Sequence, residues 1–245
     1  MCLMIFLKLL SRLPLWALYG ITDGVRLLIY YLIGYRKSVV IQNIKNAFPD
    51  KSEEEIKKIT KEFYQRFCEY MAETIKAITI SEKEMLKRVK FLNVPLVQSY
   101  ADKNQSIILA GSHQFNWEWA LLTGCLVLPF PVDAVYKKLS NRKFDQLMLD
   151  TRGKFGGQPI ESKSLIRSLI KSKLRTKAVA IIADQSPKKK RPKLLGYIYE
   201  SRYRLLYWNS ANSYCYEIPS PFLQNAPCKK GLLYGGASEA YRSTI

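Results

Sequence analysis

The chain is almost without histidine: its 245 residues contain one, His113. That excludes a multi-histidine metal site, and no metal is expected. It also leaves a single side chain whose unperturbed pKa puts its charge change near neutrality. Acidic residues are scarce beside basic ones, 20 against 39, for a net charge of +19. Such an excess favours anionic partners: membrane lipid, a phosphorylated substrate, nucleic acid or an acidic carrier protein. No zinc-finger spacing, internal repeat or RNA-binding aromatic signature accompanies it, so nucleic acid is set aside. No C-x-x-C pair occurs among the five cysteines Cys2, Cys68, Cys125, Cys215 and Cys228. They read as free thiols in a reducing compartment.

What is present is a long apolar start. From Leu13 to Gly34 the run is interrupted only by Thr22, Asp23 and Arg26. A spanning helix needs about 20 apolar residues, so the length permits one. Asp23 and Arg26 oppose it, because a charge near the bilayer centre costs about 2.5–3.5 kcal/mol on insertion scales. Three residues apart, the two can pair along one helix face. Trp16, Tyr19, Tyr30, Tyr31 and Tyr35 suit an interface, and Arg36, Lys37 and Lys45 follow. The positive-inside rule then keeps the remainder on the cytoplasmic face of the plasma (inner) membrane. No small-residue cleavage site marks a secretory signal. Residues 1–36 are therefore expected to form a membrane-associated helical region, spanning or lying on the bilayer. The alternative is a hairpin of buried core helices.

The remainder alternates between two periods. Ser52 and Glu55 fit a capping box, opening a helix with Ile56, Ile59, Phe63, Phe67, Tyr70, Met71 and Thr74 on its apolar face. Ser81 starts a shorter helix. Strands are predicted at Ser106–Ala110, Val132–Tyr136 and Ala178–Ala183, and helices at Trp117–Leu126, Asn141–Lys154 and Ser164–Leu174. In the Asn141–Lys154 helix, Phe144, Leu147 and Met148 are expected inward, with Phe155 just beyond. The alternation predicts an α/β fold, a central mixed sheet flanked by helices. His113 falls just past a strand end and before a helix, where such folds place ligand sites. Glu118 follows five residues later. Its carboxylate can fold back to one ring nitrogen while the other takes a proton from a hydroxyl. The plainer alternative is a strand-end histidine beside a solvated helix residue.

The residues around the pair carry more. His113-Gln114-Phe115-Asn116-Trp117-Glu118 resembles the H-[FQ]-x-N-W-E block of the lipid A biosynthesis lauroyl/myristoyl acyltransferase family, a membrane-bound branch of the H-x4-D/E acyltransferases. Further blocks follow in order. Gly34-Tyr35-Arg36 with Val39-Val40, Asn43 and Ala47-Phe48-Pro49 is similar to the family's juxtamembrane segment. The stretch from Phe63-Tyr64 to Glu73 resembles the helix after it. Val135-Tyr136-Lys137-Lys138-Leu139 resembles its Y-[RK]-x-L block, Arg152-Gly153-Lys154-Phe155-Gly156 its R-x-[RK]-[FY]-G block, and Ala183-Asp184-Gln185-Ser186-Pro187 its D-Q block. The resemblance covers about residues 10–187, with 37–187 as the catalytic domain. It implies that His113 is the general base and Glu118 its orienting partner. A glycolipid hydroxyl would attack an acyl thioester on acyl carrier protein, with no further cofactor. Backbone amides after His113 or the Asn116 side chain are candidate oxyanion donors. Arg152 with Lys137 or Lys138 would bind phosphate on a phosphorylated glycolipid acceptor or on the donor. Asp184 and Gln185 would shape the site. Two rival readings are an acyltransferase acting on a lysophospholipid or aminolipid, and a non-catalytic basic peripheral membrane protein.

The resemblance stops at Lys188-Lys189-Lys190-Arg191-Pro192-Lys193. Residues 188–245 are rich in Tyr, Arg and Ser without a clear period. Read one nucleotide forward from Lys193 to Trp208, the degenerate code permits Asn-Tyr-Trp, one open position, then Ile-Phe-Met-Asn-Gln-Asp-Thr-Ala-Phe-Tyr-Thr-Gly. That resembles the block this family carries after its D-Q motif. The tail is therefore expected to be out of frame, poorly structured and unable to complete the domain. The alternative is a divergent basic C-terminal segment.

Overall fold

In the computed structural model, residues 2–92, 94–113, 116–172 and 174–182 are described, together with the backbone of four strands between 193 and 238. The chain divides into two compact units: residues 13–73 with 185–216, and residues 1–12 and 74–184 with 217–245.

In the first unit, Pro14 precedes α2 (Leu15–Leu27), which continues as a π-helical turn over Leu28–Ile33. Gly34, at φ 62°, ends it, and Arg36, at φ 51°, opens α3 (Lys37–Ala47). Asp23 and Arg26 pair at 3.7 Å, as their spacing predicts. Helix α4 (Glu53–Ala77) begins with the expected capping box. Glu55 Oε2 accepts from Ser52 N at 3.0 Å, and Ser52 Oγ accepts from Glu55 N at 3.3 Å. The hydrogen bond from Lys51, then that from Ser52, holds the Glu55 carboxyl down to about 2.

The buried face of α4 shares Ile56 with the predicted one but is turned from it beyond that residue. Ile56, Thr60, Tyr64, Cys68 and Ala72 point inward, while Phe63 and Met71 are exposed and Phe67 is half-buried. Both faces carry apolar residues at helical spacing, and the sequence pattern alone favoured the one with the larger side chains. The tyrosine on the buried face is anchored by polar contact: Tyr64 donates to the Tyr35 carbonyl at 2.5 Å. Further along, Tyr19 donates to Glu73 at 2.7 Å. Strands β6 (Lys193–Ile198) and β7 (Ser201–Leu206) form an antiparallel hairpin in this unit.

The second unit starts with α1 (Cys2–Leu10) and resumes with α5 (Glu82–Arg88), capped by Ser81. Then come β1 (Val89–Phe91), α6 (Val94–Asp102), β2 (Ile107–Gly111), α7 (Trp117–Val127), β3 (Val132–Tyr136), α8 (Arg142–Gly153), β4 (Gln158–Glu161), α9 (Leu165–Lys171) and β5 (Ala178–Ile182). Strands β2, β5, β3 and β4 lie side by side in that order, all parallel. Beyond β2, β8 (Phe222–Pro227) and β9 (Leu233–Ser238) pair antiparallel with each other and link β2 to β1, so the whole sheet is mixed. Ile107, Leu109, Val132, Ala134 and Ala178 form its core with Leu121, Leu128 and Phe130. A parallel sheet covered by helices has both faces dry, which explains these apolar strands.

At the N-terminal ends of the strands, Lys177 donates to Asp133 at 2.6 Å, both side chains nearly dry. On α8, Leu147 is buried and Met148 half-buried as expected, whereas Phe144 is exposed and Asp145 and Thr151 are buried. Asp145 turns inward because its carboxylate accepts the Leu139 N–H at 2.8 Å.

No helix among the described residues is long and apolar enough to cross a membrane. The spanning helix that the N-terminal run's length permits is therefore not found. Pro14, the Asp23–Arg26 pair, the π-helical turn and left-handed Gly34 divide the run. Apolar side chains remain exposed on each helix: Leu3, Ile5, Phe6 and Leu9 on α1, and Trp16, Tyr31, Leu32 and Ile33 among those on α2 and its π-helical end.

Cys68 and Cys125 are free thiols, as the spacing of the cysteines predicts. Burial pushes Cys125 up to about 11 and also raises Cys68. At pH 8 only about one Cys125 in a thousand would be thiolate, the reactive form. Iodoacetamide at pH 8 should therefore leave Cys68 and Cys125 unlabelled in the folded chain and label both in denaturant, read by peptide mass. Fast labelling of Cys125 in the folded chain would contradict this packing.

Candidate active site

The parallel strands put their C-terminal ends on one edge. Gly111 of β2 is level with Ile182 of β5, and Ala134 of β3 with Ala180. His113 therefore emerges at the same edge as Lys137 and Lys138, which follow β3. Both lysines and His113 are exposed. The loop bearing the lysines is fixed from below. Asp145 holds the Leu139 N–H, and Asn141 Oδ1 caps α8 by accepting from Lys143 N and Phe144 N at 3.1 and 3.2 Å.

Helix α7 opens directly after His113. Its cap is Asn116, whose Oδ1 accepts from Trp119 N at 3.1 Å in a nearly dry position. An Asn cap satisfies an N–H that the helix leaves unpaired. The side chain expected as an oxyanion donor thus has a structural task as well.

Glu118 lies in the first turn of α7, where the helix dipole favours an anion. It is 3% exposed, and its carboxylate is gripped on both oxygens. Arg152 Nε donates to Oε2 at 2.9 Å and Nη2 to Oε1 at 2.5 Å. Arg152 was expected to bind phosphate; its guanidinium is instead turned inward onto Glu118, its side chain 11% exposed. Among the expected phosphate ligands, Lys137 and Lys138 are the ones facing solvent.

Trp117 joins the two halves. The His113 and Trp117 rings meet edge-to-face at 5.9 Å, and the Arg152 guanidinium lies 5.1 Å from the Trp117 ring centre. Sequence reasoning placed Trp117 in the motif between Asn116 and Glu118 but gave it no role. The structure thus brings His113, Trp117, Glu118 and Arg152 together. A carboxylate accepts at about four sites, so two arginine bonds leave Glu118 able to accept another.

Two glycines let Arg152 reach this position. Gly156 has φ 87°, and a Cβ on Gly157 would lie 2.5 Å from the Arg152 carbonyl oxygen. The chain therefore turns sharply against the end of α8. Lys154 fastens the same end from the other side, donating to the carbonyls of Ala77, Ile78 and Ile80. Burial, and secondarily Lys76, pushes the Lys154 ammonium down. Capping carbonyls at a helix C-terminus is a favoured use of lysine.

At the end of β2 lies a narrow apolar cavity of about 50 Å³. Phe91, Leu109, Trp117, Leu121, Gly124 and Ile182 are among its walls, and Gly111 and Ser112 are at the strand end. Asp184 and Gln185 lie outside the described residues. Among the described residues no cluster of three His, Cys, Asp or Glu side chains could hold a metal ion.

No curated protein matches the chain significantly. The family model for bacterial lipid A biosynthesis acyltransferase matches residues 2–193, well over half of the chain. The chain therefore belongs to the bacterial lipid A biosynthesis acyltransferase family and is an acyltransferase.

Proposed function

We propose that the protein transfers a fatty acyl chain from an acyl thioester to a hydroxyl of a phosphorylated lipid A precursor, with His113 as general base. The thioester is carried by acyl carrier protein. The observation that carries this reading is the exposed imidazole at the sheet's C-terminal edge, its ring against Trp117, which also meets the Arg152 of the buried Glu118–Arg152 pair and lines an apolar cavity. A base must stand in solvent reach of the hydroxyl, and its cation gains from a fixed carboxylate. Glu118 is fixed because Arg152 holds both its oxygens. The Trp117 ring edge sets the imidazole plane.

In the step proposed, His113 takes the hydroxyl proton while the oxygen attacks the thioester carbonyl. The tetrahedral intermediate then expels the thiolate, and the proton passes from imidazolium to sulfur. Backbone amides at the start of α7 are the candidate oxyanion donors. The apolar cavity would receive the start of the acyl chain, its walls giving way for a longer one. Lys137 and Lys138 would meet phosphate groups, and the positive chain would suit an acidic carrier and an anionic bilayer. The exposed apolar faces of α1 and of α2 would lie on the cytoplasmic face of the inner membrane.

Lipid analysis of cells lacking the gene tests the acceptor. Their lipid A should be short of one acyl chain, and an in-frame gene should restore it. Unchanged lipid A with a lysophospholipid or aminolipid left unacylated would move the assignment to that acceptor.

A further inference from the structure

The apolar stripe that α4 leaves outward has a use. Phe63, Tyr64 and Phe67 line a groove with Tyr35, Arg36, Val39, Val40 and Asn43 of the facing turn and α3. Its volume is about 230 Å³, room for about eight waters at bulk density. The Phe63 and Phe67 rings stack at 6.2 Å and 11°, making a flat apolar wall. No carboxylate is among the lining residues. Arg36 stands at the groove in the left-handed backbone region, φ 51°, a conformation disfavoured for any side chain with a Cβ. Among the described residues no ion pair engages Arg36, and Asn43 makes no side-chain hydrogen bond. Directly before the groove, Tyr31, Leu32 and Ile33 are 62%, 77% and 68% exposed.

We infer that this groove binds one anionic phospholipid of the bilayer, its phosphate on Arg36 and Asn43 and the upper part of one acyl chain against Val39, Val40, Phe63 and Phe67. An apolar wall with a single cation at its mouth matches a lipid that is charged at one end. The exposed apolar turn leading into it would sit at the depth from which such a lipid enters. The site belongs to the unit of residues 13–73 and would hold the chain on its membrane without taking part in acyl transfer. The inference rests on the reading that the protein works at a bilayer.

The test is retention of the full chain on vesicles of phosphatidylglycerol with phosphatidylcholine, against phosphatidylcholine alone. Arg36→Asn removes the cation with a residue that tolerates the left-handed conformation. It should lower retention on the anionic vesicles about tenfold and leave the neutral ones unchanged. That exceeds the roughly fivefold expected of one basic residue near an anionic surface. Lys58→Asn, the same charge change on the opposite face of α4, should alter retention less than about twofold. Asn43→Ala, neutral and favourable to a helix, should lower anionic retention about threefold. An Arg36→Asn effect no greater than that of Lys58→Asn, or an equal loss on neutral vesicles, overturns the groove. Failure of the unaltered chain to bind either vesicle would overturn the bilayer reading itself.

Discussion

His113→Ala should lower kcat by about 10²–10⁴-fold, the range that a positioned general base supplies, and leave the melting temperature nearly unchanged. The side chain is exposed at a strand end, and surface replacements away from buried networks stay within about 0.5 kcal/mol. Vesicle binding should survive, because the apolar faces of α1 and α2 are untouched. Arg152→Met should behave differently. It leaves Glu118 buried and unpaired, and breaking such a pair costs about 3–5 kcal/mol. Activity and stability should fall together. Replacing both members by apolar residues of similar size should recover much of the stability and none of the turnover, since the dry charges are then gone along with the orienting carboxylate. The contrast separates the base from its support. Unchanged turnover in His113→Ala removes the imidazole from the mechanism. A large fall in its melting temperature would mean that the loss of activity reports folding.

Where local physics decides, the sequence was legible. Strand β3 spans Val132–Tyr136 as predicted, because a short β-favouring run bounded by Pro131 and a lysine pair has no competing helical pattern. The Ser52–Glu55 box formed because its partners are three residues apart. The place of His113 just past a strand end followed from strand–helix alternation. Elements β1 and β4 were missed because three- and four-residue strands carry too few positions for a period. Beyond Ile56 the phase of α4 was missed because both of its faces carry apolar residues, and tertiary contacts chose between them. Arg152 was read as a phosphate ligand because guanidinium chemistry suits either phosphate or carboxylate. Only the fold shows that the carboxylate 34 residues earlier lies within its reach. Asp145 was not singled out, and Lys154 was given no role within its R-x-[RK]-[FY]-G block, for a related reason: each binds backbone amides or carbonyls, which no side-chain pattern announces.

Restoring one nucleotide register near Lys188–Lys193 should change the protein more than any point substitution. The family match ends at residue 193, where the lysine-rich run ends. An A-rich run of lysine codons is where a one-base slip is expected. Strict demands fall on the codons beyond it. Leu195 must end in G for the shifted frame to read tryptophan, and Arg202 must end in A to read aspartate. If either codon differs, the frame reading is lost. If both hold, the repaired gene should yield a chain with one cooperative unfolding transition and acyl transfer activity. On the frameshift reading, the present sequence should give a less soluble product with little or no turnover, because β8 and β9, which link β2 to β1, would then be read from codons without evolved apolar patterning. The comparison also bears on His113. If the repaired chain is active and its His113→Ala variant is not, both the base and the frame are supported. Equal solubility, melting and turnover in the two chains would instead make residues 188–245 a divergent segment of a working enzyme, with the shifted codon reading a coincidence.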